Sequence, residues 1–130
     1  MEDRSTAICI RDGRILLVAR EHSSRVTRWS LPGGKRTVSE TPAEACRREL
    51  VEETSISPLS LDYLFQFGGL AKRHYVFLAE LAPDVPARAS NEIAACGWFT
   101  PRKIATLPAS VPTREIVALF IRRCAHPALK

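Results

Sequence analysis

Gly34-Lys-Arg-Thr-Val-Ser-Glu40-Thr-Pro-Ala-Glu44-Ala-Cys46-Arg-Arg48-Glu49-Leu50-Val-Glu52-Glu53-Thr-Ser55-Ile56 reads as a loop that runs into a helix. The helix start is written in Thr41-Pro42-Ala43-Glu44. The threonine can accept from the amide of Glu44, Glu44 can reach back, and Pro42 sits where a missing N–H costs nothing. The helix is expected over residues 42–54, and Pro58 bars its continuation. At about 100° per residue, Glu53 falls about 40° to one side of Glu49 and Glu52 about 60° to the other, so three carboxylates share an arc of about 100°. Cys46 and Leu50 point just beside them. The core-facing stripe therefore adjoins the acidic face and puts it at the rim of a packed sheet.

Such a face is unfavourable by itself. Like charges four apart repel by a few tenths of a kcal/mol, and anions in the last turns meet the negative end of the helix dipole at roughly 0.3–1 kcal/mol each. A bound divalent cation reverses both signs, and magnesium or manganese suits an all-oxygen site with positions left open for phosphate oxygens. The plainer alternative is a solvated acidic surface relieved by Arg47 and Arg48.

Outward from the helix, residues 5–10 and 14–20 are apolar stretches joined at Asp12-Gly13, a tight-turn dipeptide, and are expected to form an antiparallel pair. The polar stretch 21–28 leads to a brief strand at 29–31, which ends in a loop at Pro32-Gly33-Gly34. After the helix, Leu59, Leu61, Tyr63, Phe65 and Phe67 alternate as a strand with one buried face, and residues 74–81 can pair back on it. Residues 82–91 read as a surface loop, 92–99 as a last strand, and Thr100-Pro101 as the start of a short helix. A terminal helix over 112–124 carries Ile116, Leu119, Phe120 and Cys124 on one stripe. The order β-β-β-α-β-β-β-α-α predicts a mixed sheet with helices packed on it, an α/β fold.

The whole chain has 130 residues, 45% hydrophobic and 25% charged, which predicts one domain over residues 1–130 with a proper core rather than a disordered tail. Nineteen lysines and arginines against fourteen acids leave a net charge of +5, favouring an anionic partner. The charged start, Met1-Glu-Asp-Arg-Ser, lacks the apolar stretch of a signal peptide, and the longest aliphatic or aromatic run, 116–121, is far too short for a bilayer span. Cys9, Cys46, Cys96 and Cys124 stand alone in apolar surroundings without a C-x-x-C pair. They are expected to be reduced core thiols of a cytoplasmic protein rather than zinc ligands.

Gly34, Glu40, Arg48, Glu49, Leu50, Glu52, Glu53 and Ile56 fill eight of the nine specified positions of G-x5-E-x7-R-E-U-x-E-E-x-G-U, where U is aliphatic. This segment resembles the Nudix box, and the preceding Trp29-Ser-Leu-Pro-Gly-Gly-Lys35 resembles the strand and loop that lead into it. The resemblance implies an α/β/α sandwich and a hydrolase that cleaves a diphosphate linked to another moiety, with Mg2+ or Mn2+. It implies further that Glu49, Glu52, Glu53 and the Gly33 carbonyl hold metal. Arg48 would orient Glu49, Glu40 would support the loop or an outer metal contact, and Gly34 belongs to the same motif. The general base is left open among Glu53, Glu49 and Glu92, the last at the start of the final strand. Ser55 replaces the glycine that ends this helix left-handed in the family, which puts the exit of the helix in question, and Ser39 stands where another glycine is frequent.

Rival readings are weaker. A phosphate-binding P-loop would need glycine at position 29 and serine or threonine at 36, where this chain has Trp29 and Arg36. Nucleic-acid binding rests on charge alone. A catalytically idle nucleotide-binding or regulatory domain of the same fold would be expected to lose a helix glutamate, and none is lost. The expected substrate is a phosphorylated small molecule, a nucleoside triphosphate or other nucleoside diphosphate derivative, with a diphosphoinositol polyphosphate or dinucleoside polyphosphate as runner-up. Arg28 and Lys35 are the first candidates to bind it, within a cationic rim that includes Arg20, Arg25, Arg36, Lys72, Arg73 and His74. Oligomeric state is not written in the sequence, and a homodimer is compatible with it.

Overall fold

Residues 5–9 bury every side chain rather than every second one, and a strand of that kind belongs in the middle of a sheet covered on both faces. In the computed structural model, which describes residues 1–20 and 28–124, this strand is the spine of the molecule. Strand β1 (Glu2–Arg11) has β2 (Arg14–Arg20) as its hairpin partner, β3 (Trp29–Ser30) lies beyond β2, and β4 (Gly33–Lys35) returns to the start of β1. Helix α1 (Pro42–Thr54) follows, then the antiparallel pair β5 (Ser60–Gly68) and β6 (Lys72–Glu80), then β7 (Ile93–Phe99) alongside β2. Short α2 (Pro101–Ile104) and α3 (Val111–Arg123) end the chain. Strand β6 runs parallel to β1 from Glu2 to Cys9, so the sheet is mixed.

Alternation then sorts the core into two layers. Ala7 and Cys9 of β1, Leu16 of β2 and Phe77 and Ala79 of β6 pack with Cys46, Leu50 and Ile56 on the α1 face. Ile8, Ile15, Leu17 and Val76 point the other way and pack with Ile104, Ile116, Val117 and Phe120 of α2 and α3. This is the expected α/β/α sandwich, with α1 held against the sheet by one stripe and free to direct its neighbouring stripe at the sheet edge.

Several local expectations change. The 12–13 turn forms with positive φ at both residues (51° and 74°), but its strands pair only at Ile10–Ile15 and Arg11–Arg14. They part because β4 takes the same edge of β1 from Arg4 to Thr6. The segment read as a loop at Gly33-Gly34 is therefore a strand, and only glycine serves at its start: a Cβ on Gly33 would run into the Ser5 carbonyl oxygen. The strict alternation of β5 also fails. A bulge at Leu64 turns the strand over, so Leu61 packs toward α1 while Phe65 and Phe67 pack toward α3, and Leu59 and Tyr63 are exposed. Of the four thiols, all unpaired, only Cys9 and Cys46 are buried; Cys96 and Cys124 are partly exposed. The stretch 21–27 lies outside the described residues.

Helix α1 begins and ends where expected, with the reciprocal bonds between Thr41 and Glu44 in place at 3.1 and 2.8 Å. Its exit is left-handed despite the serine: Ser55 has φ 64°. A serine held there costs about 1 kcal/mol against glycine. Its hydroxyl recovers part of that through a 3.2 Å bond to the Arg88 carbonyl. Ser55→Gly is therefore expected to raise stability by a few tenths to about 1 kcal/mol, read as a higher urea midpoint; a lower midpoint would show that the hydroxyl outweighs the strain.

Candidate active site

Glu53 lies on the last turn of α1 yet is only 1% exposed. Its Oε1 accepts the Gly33 amide at 2.9 Å, and its Oε2 accepts Nη2 of Arg20, at the end of β2, at 2.6 Å. The same Nη2 donates to the Gly33 carbonyl at 3.1 Å, while Nη1 reaches Oε1 of Glu92, 62% exposed, at 3.0 Å. One guanidinium thus gathers acceptors from the helix end, the β4 loop and the start of the last strand. The expectation of a uniform acidic rim is corrected by this geometry, because Glu53 is inside the protein and has its own counter-charge.

Burial pushes the Glu53 carboxyl up to about 7, against the pull of Arg20 and the Gly33 amide, with the Glu49 charge adding to the rise. The sign follows from proton binding: between the ordinary value of 4.5 and about 7 the folded chain holds this proton and the unfolded chain does not. Stability of the metal-free protein should therefore fall as pH rises through that window, by more than in Glu53→Gln. Melting temperatures in chelator across pH 4.5 to 7 check this, and parallel profiles for the two proteins would contradict it.

The other carboxylates are organised by Arg48. It holds Glu40 in a two-pronged pair (2.6 and 2.9 Å), donates to Oε1 of Glu49 at 2.8 Å and to the Lys35 carbonyl at 3.1 Å, and lies 3.4 Å from Glu52. The Arg48 pair, aided by the Thr37 amide, holds the Glu40 carboxyl down at about 2. Glu40 therefore stays ionised and pins the β4–α1 loop to the helix. Glu49 is 13% exposed and Glu52 47%. Arg47, by contrast, turns to the Pro58 carbonyl at 2.8 Å and relieves none of this cluster. Gly34 lies directly under Glu49: a Cβ there would come within 2.5 Å of the carboxyl carbon.

The carbonyls at the helix end, which lack partners within the helix, are taken by the loop before β7. Ser90 Oγ and Asn91 Nδ2 (2.8 Å) donate to the Glu52 carbonyl, the Ser90 amide to that of Glu53 at 3.3 Å, and the Arg88 amide to that of Thr54 at 2.8 Å. This binding of loop to helix is what brings Glu92 to the site. The sequence reads only as a surface loop here, and the Ser90-Asn91 pair is the one signal it offers for this docking.

Beside Gly33 and Arg20 opens a cavity of about 240 Å³. Thr6, His74, Ser30, Ser110 and Thr113 give it polar groups, Leu31, Pro112 and Ile116 an apolar wall, and Arg4 and Lys72 a cationic margin. Thr6 Oγ1 lies 3.3 Å from His74 Nδ1, and burial draws the imidazole below its ordinary value. Arg28 and Lys35 are exposed and do not line this cavity. Arg36 and Arg73 both pair with Asp3, at 3.0 and 2.9 Å, so two cations of the expected rim are held by one carboxylate, which offsets one of their two charges. Arg25 lies outside the described residues.

Among the described residues no three acids, cysteines or histidines form a ready-made cage for a metal. The donor set nevertheless fits a hard divalent cation: Glu49, Glu52, Glu53 and the Gly33 carbonyl offer oxygen only, and two of these already converge on one cationic nitrogen. An open oxygen site of this kind leaves coordination positions for water and phosphate.

An acid-rich helix laid on the edge of a mixed α/β/α sheet, its carboxylates steered by one arginine of the same helix, defines a Nudix-type pyrophosphohydrolase. The family model of the NUDIX domain matches residues 1–120, and the chain belongs to that family. Its structure is similar to a nudix hydrolase family member from Chromobacterium violaceum (TM-score 0.82, 26% identity, covering 98% of this chain and 83% of that one). It is also similar to the ORF135 protein of E. coli (TM-score 0.74, 28% identity, 98% and 94%) and to a MutT NUDIX hydrolase from Burkholderia pseudomallei (TM-score 0.75, 27% identity, 90% and 95%). No curated protein sequence matches it. Among the described residues no helix is long and apolar enough to cross a membrane.

Proposed function

We propose that this protein, acting as a single catalytic domain over residues 1–130, hydrolyses the phosphoanhydride of a nucleoside triphosphate, or of a nucleoside diphosphate linked to another small group, with Mg2+ or Mn2+. The observation that carries this reading is the convergence of the Gly33 carbonyl and Glu53 on one cation position at the mouth of a cavity with five polar side chains. Glu49, Glu52, Glu53 and the Gly33 carbonyl would hold the metal, which when bound would neutralise the pyrophosphate and acidify a water. Arg48 keeps Glu49 in place. A carboxylate oxygen of Glu53, Glu49 or Glu92 takes the proton of the attacking water. The polar side chains and apolar wall of the cavity suit a base or sugar, and Lys72 suits the phosphates that link it to the site, whereas Arg4 at the same margin is paired with Glu2 at 2.7 Å. The unpaired thiols agree with a cytoplasmic setting.

A diphosphoinositol or dinucleoside polyphosphate is the less favoured substrate, because Arg36 and Arg73 are engaged by Asp3. For a nucleoside triphosphate KM is expected to rise only modestly with salt. A steep dependence would favour the more highly charged substrates. The deciding experiment is a panel of nucleotides, dinucleotides and inositol pyrophosphates with Mg2+ and with Mn2+, products being resolved by chromatography. Metal-dependent cleavage of a nucleoside triphosphate or diphosphate derivative is expected, whereas binding without turnover by any of them would leave a binding module.

A further inference from the structure

Arg20 holds the position on which two of the four proposed metal ligands, Glu53 and the Gly33 carbonyl, converge. Its Nη2 is 2.6 Å from Glu53 Oε2 and 3.1 Å from the Gly33 carbonyl oxygen, and its Nη1 is 3.0 Å from Glu92 Oε1. When ionised, a carboxylate as buried as Glu53 needs a counter-charge, since an unpaired ion there would be strongly destabilising. A guanidinium supplies it with fixed, forked donors that span several acceptors at once. Each of these oxygens has a second lone pair, but the point on which Glu53 Oε2 and the Gly33 carbonyl converge is filled by Nη2, and a divalent cation cannot take that position while the guanidinium is there.

From this geometry we propose that Arg20 is a positioning residue that stands in for the divalent cation in the metal-free protein and is displaced from Glu53 and Gly33 when the cation enters. The inference rests on the reading of Gly33 and Glu53 as metal ligands. Arg20 keeps the two oxygens converged and the buried carboxylate compensated, so the metal-free site stays assembled. It also sets the metal affinity, because binding has to overcome the guanidinium contacts. Arg20 already lines the adjacent cavity, so on displacement its charge would be available there to a phosphorylated ligand.

The test is Mn2+ binding to the chelator-stripped protein without substrate, by titration calorimetry and by the electron paramagnetic resonance of free Mn2+. Wild type, Arg20→Gln and Arg20→Lys are compared, with circular dichroism and melting of each metal-free form. Arg20→Gln is expected to melt lower without metal yet bind Mn2+ at least about fivefold more tightly. Arg20→Lys keeps the charge but cannot span the acceptors, so it should tighten binding too, by less. A residue with a merely structural role would leave Mn2+ affinity unchanged or weaken it, and either result overturns the proposal. Tightening in Gln alone, with Lys equal to wild type, would reduce the effect to charge repulsion and overturn it as well. If Arg20→Gln does not fold, Arg20→Lys decides alone. Absence of Mn2+ binding in all three proteins would instead remove the metal-site reading on which the inference stands.

Discussion

Glu53→Gln is expected to lower kcat by about 100-fold or more while the protein still folds. The carboxylate is 1% exposed and bonded on both oxygens, to the Gly33 amide and to Arg20, so it is placed before any ligand arrives. A charge kept inside against a desolvation cost is poorly explained as a device for stability. The amide removes the charge and retains one acceptor oxygen for Gly33, so circular dichroism and a cooperative melt should persist. Glu52→Gln makes the companion experiment. Its side chain is half exposed and has only a long contact with Arg48 at 3.4 Å, so its removal disturbs almost nothing structural. A fall in kcat of similar size in that variant would report chemistry alone, and near-normal turnover in both would sink the assignment of the site.

The second large effect is expected from a single methyl group. In Gly34→Ala the new Cβ would lie 2.5 Å from the Glu49 carboxyl carbon and 2.7 Å from both of its oxygens. The obstacle is the flexible tip of a side chain rather than backbone, so the carboxylate can swing aside at little cost in stability. Displacement by about 1 Å of a group that positions the reaction costs on the order of 100-fold in rate. The expected signature is a melting temperature within a few degrees of wild type together with kcat reduced about 100-fold. Wild-type turnover would mean that Glu49 is not needed where Arg48 holds it, and a collapsed melt would mean that the glycine serves folding instead.

The parts of this protein that the sequence made readable are those set by local rules. Thr41, Pro42 and Glu44 announce the start of α1, and its carboxylates, spaced three and four apart, share a face wherever the helix packs. Asp12-Gly13 likewise marks a turn by its own backbone preference. What stayed hidden was decided by distant partners. Gly33 and Gly34 look like a loop in isolation and become a strand because β1 has a free edge and Gly33 has no Cβ to strike Ser5. The bulge at Leu64 turns β5 over through its pairing with β6, which alternation cannot foresee. At the site, charge patterning singled out the three helix glutamates, but nothing in their spacing told a buried Glu53 from a half-exposed Glu52. Arg20 passed as one surface cation among eight candidates, since its meeting with Glu53 and Glu92 depends on three elements far apart in the chain.

Metal-dependent hydrolysis at this site is tested by turnover of a nucleoside triphosphate in 18O-water, with Mn2+ or Mg2+ and with chelator, the products being weighed by mass spectrometry. It predicts one 18O in a single phosphate-bearing product per bond cleaved, only when metal is present, and loss of that signal in Glu53→Gln. Label incorporated at the same rate in chelator, or in Glu53→Gln, would contradict it.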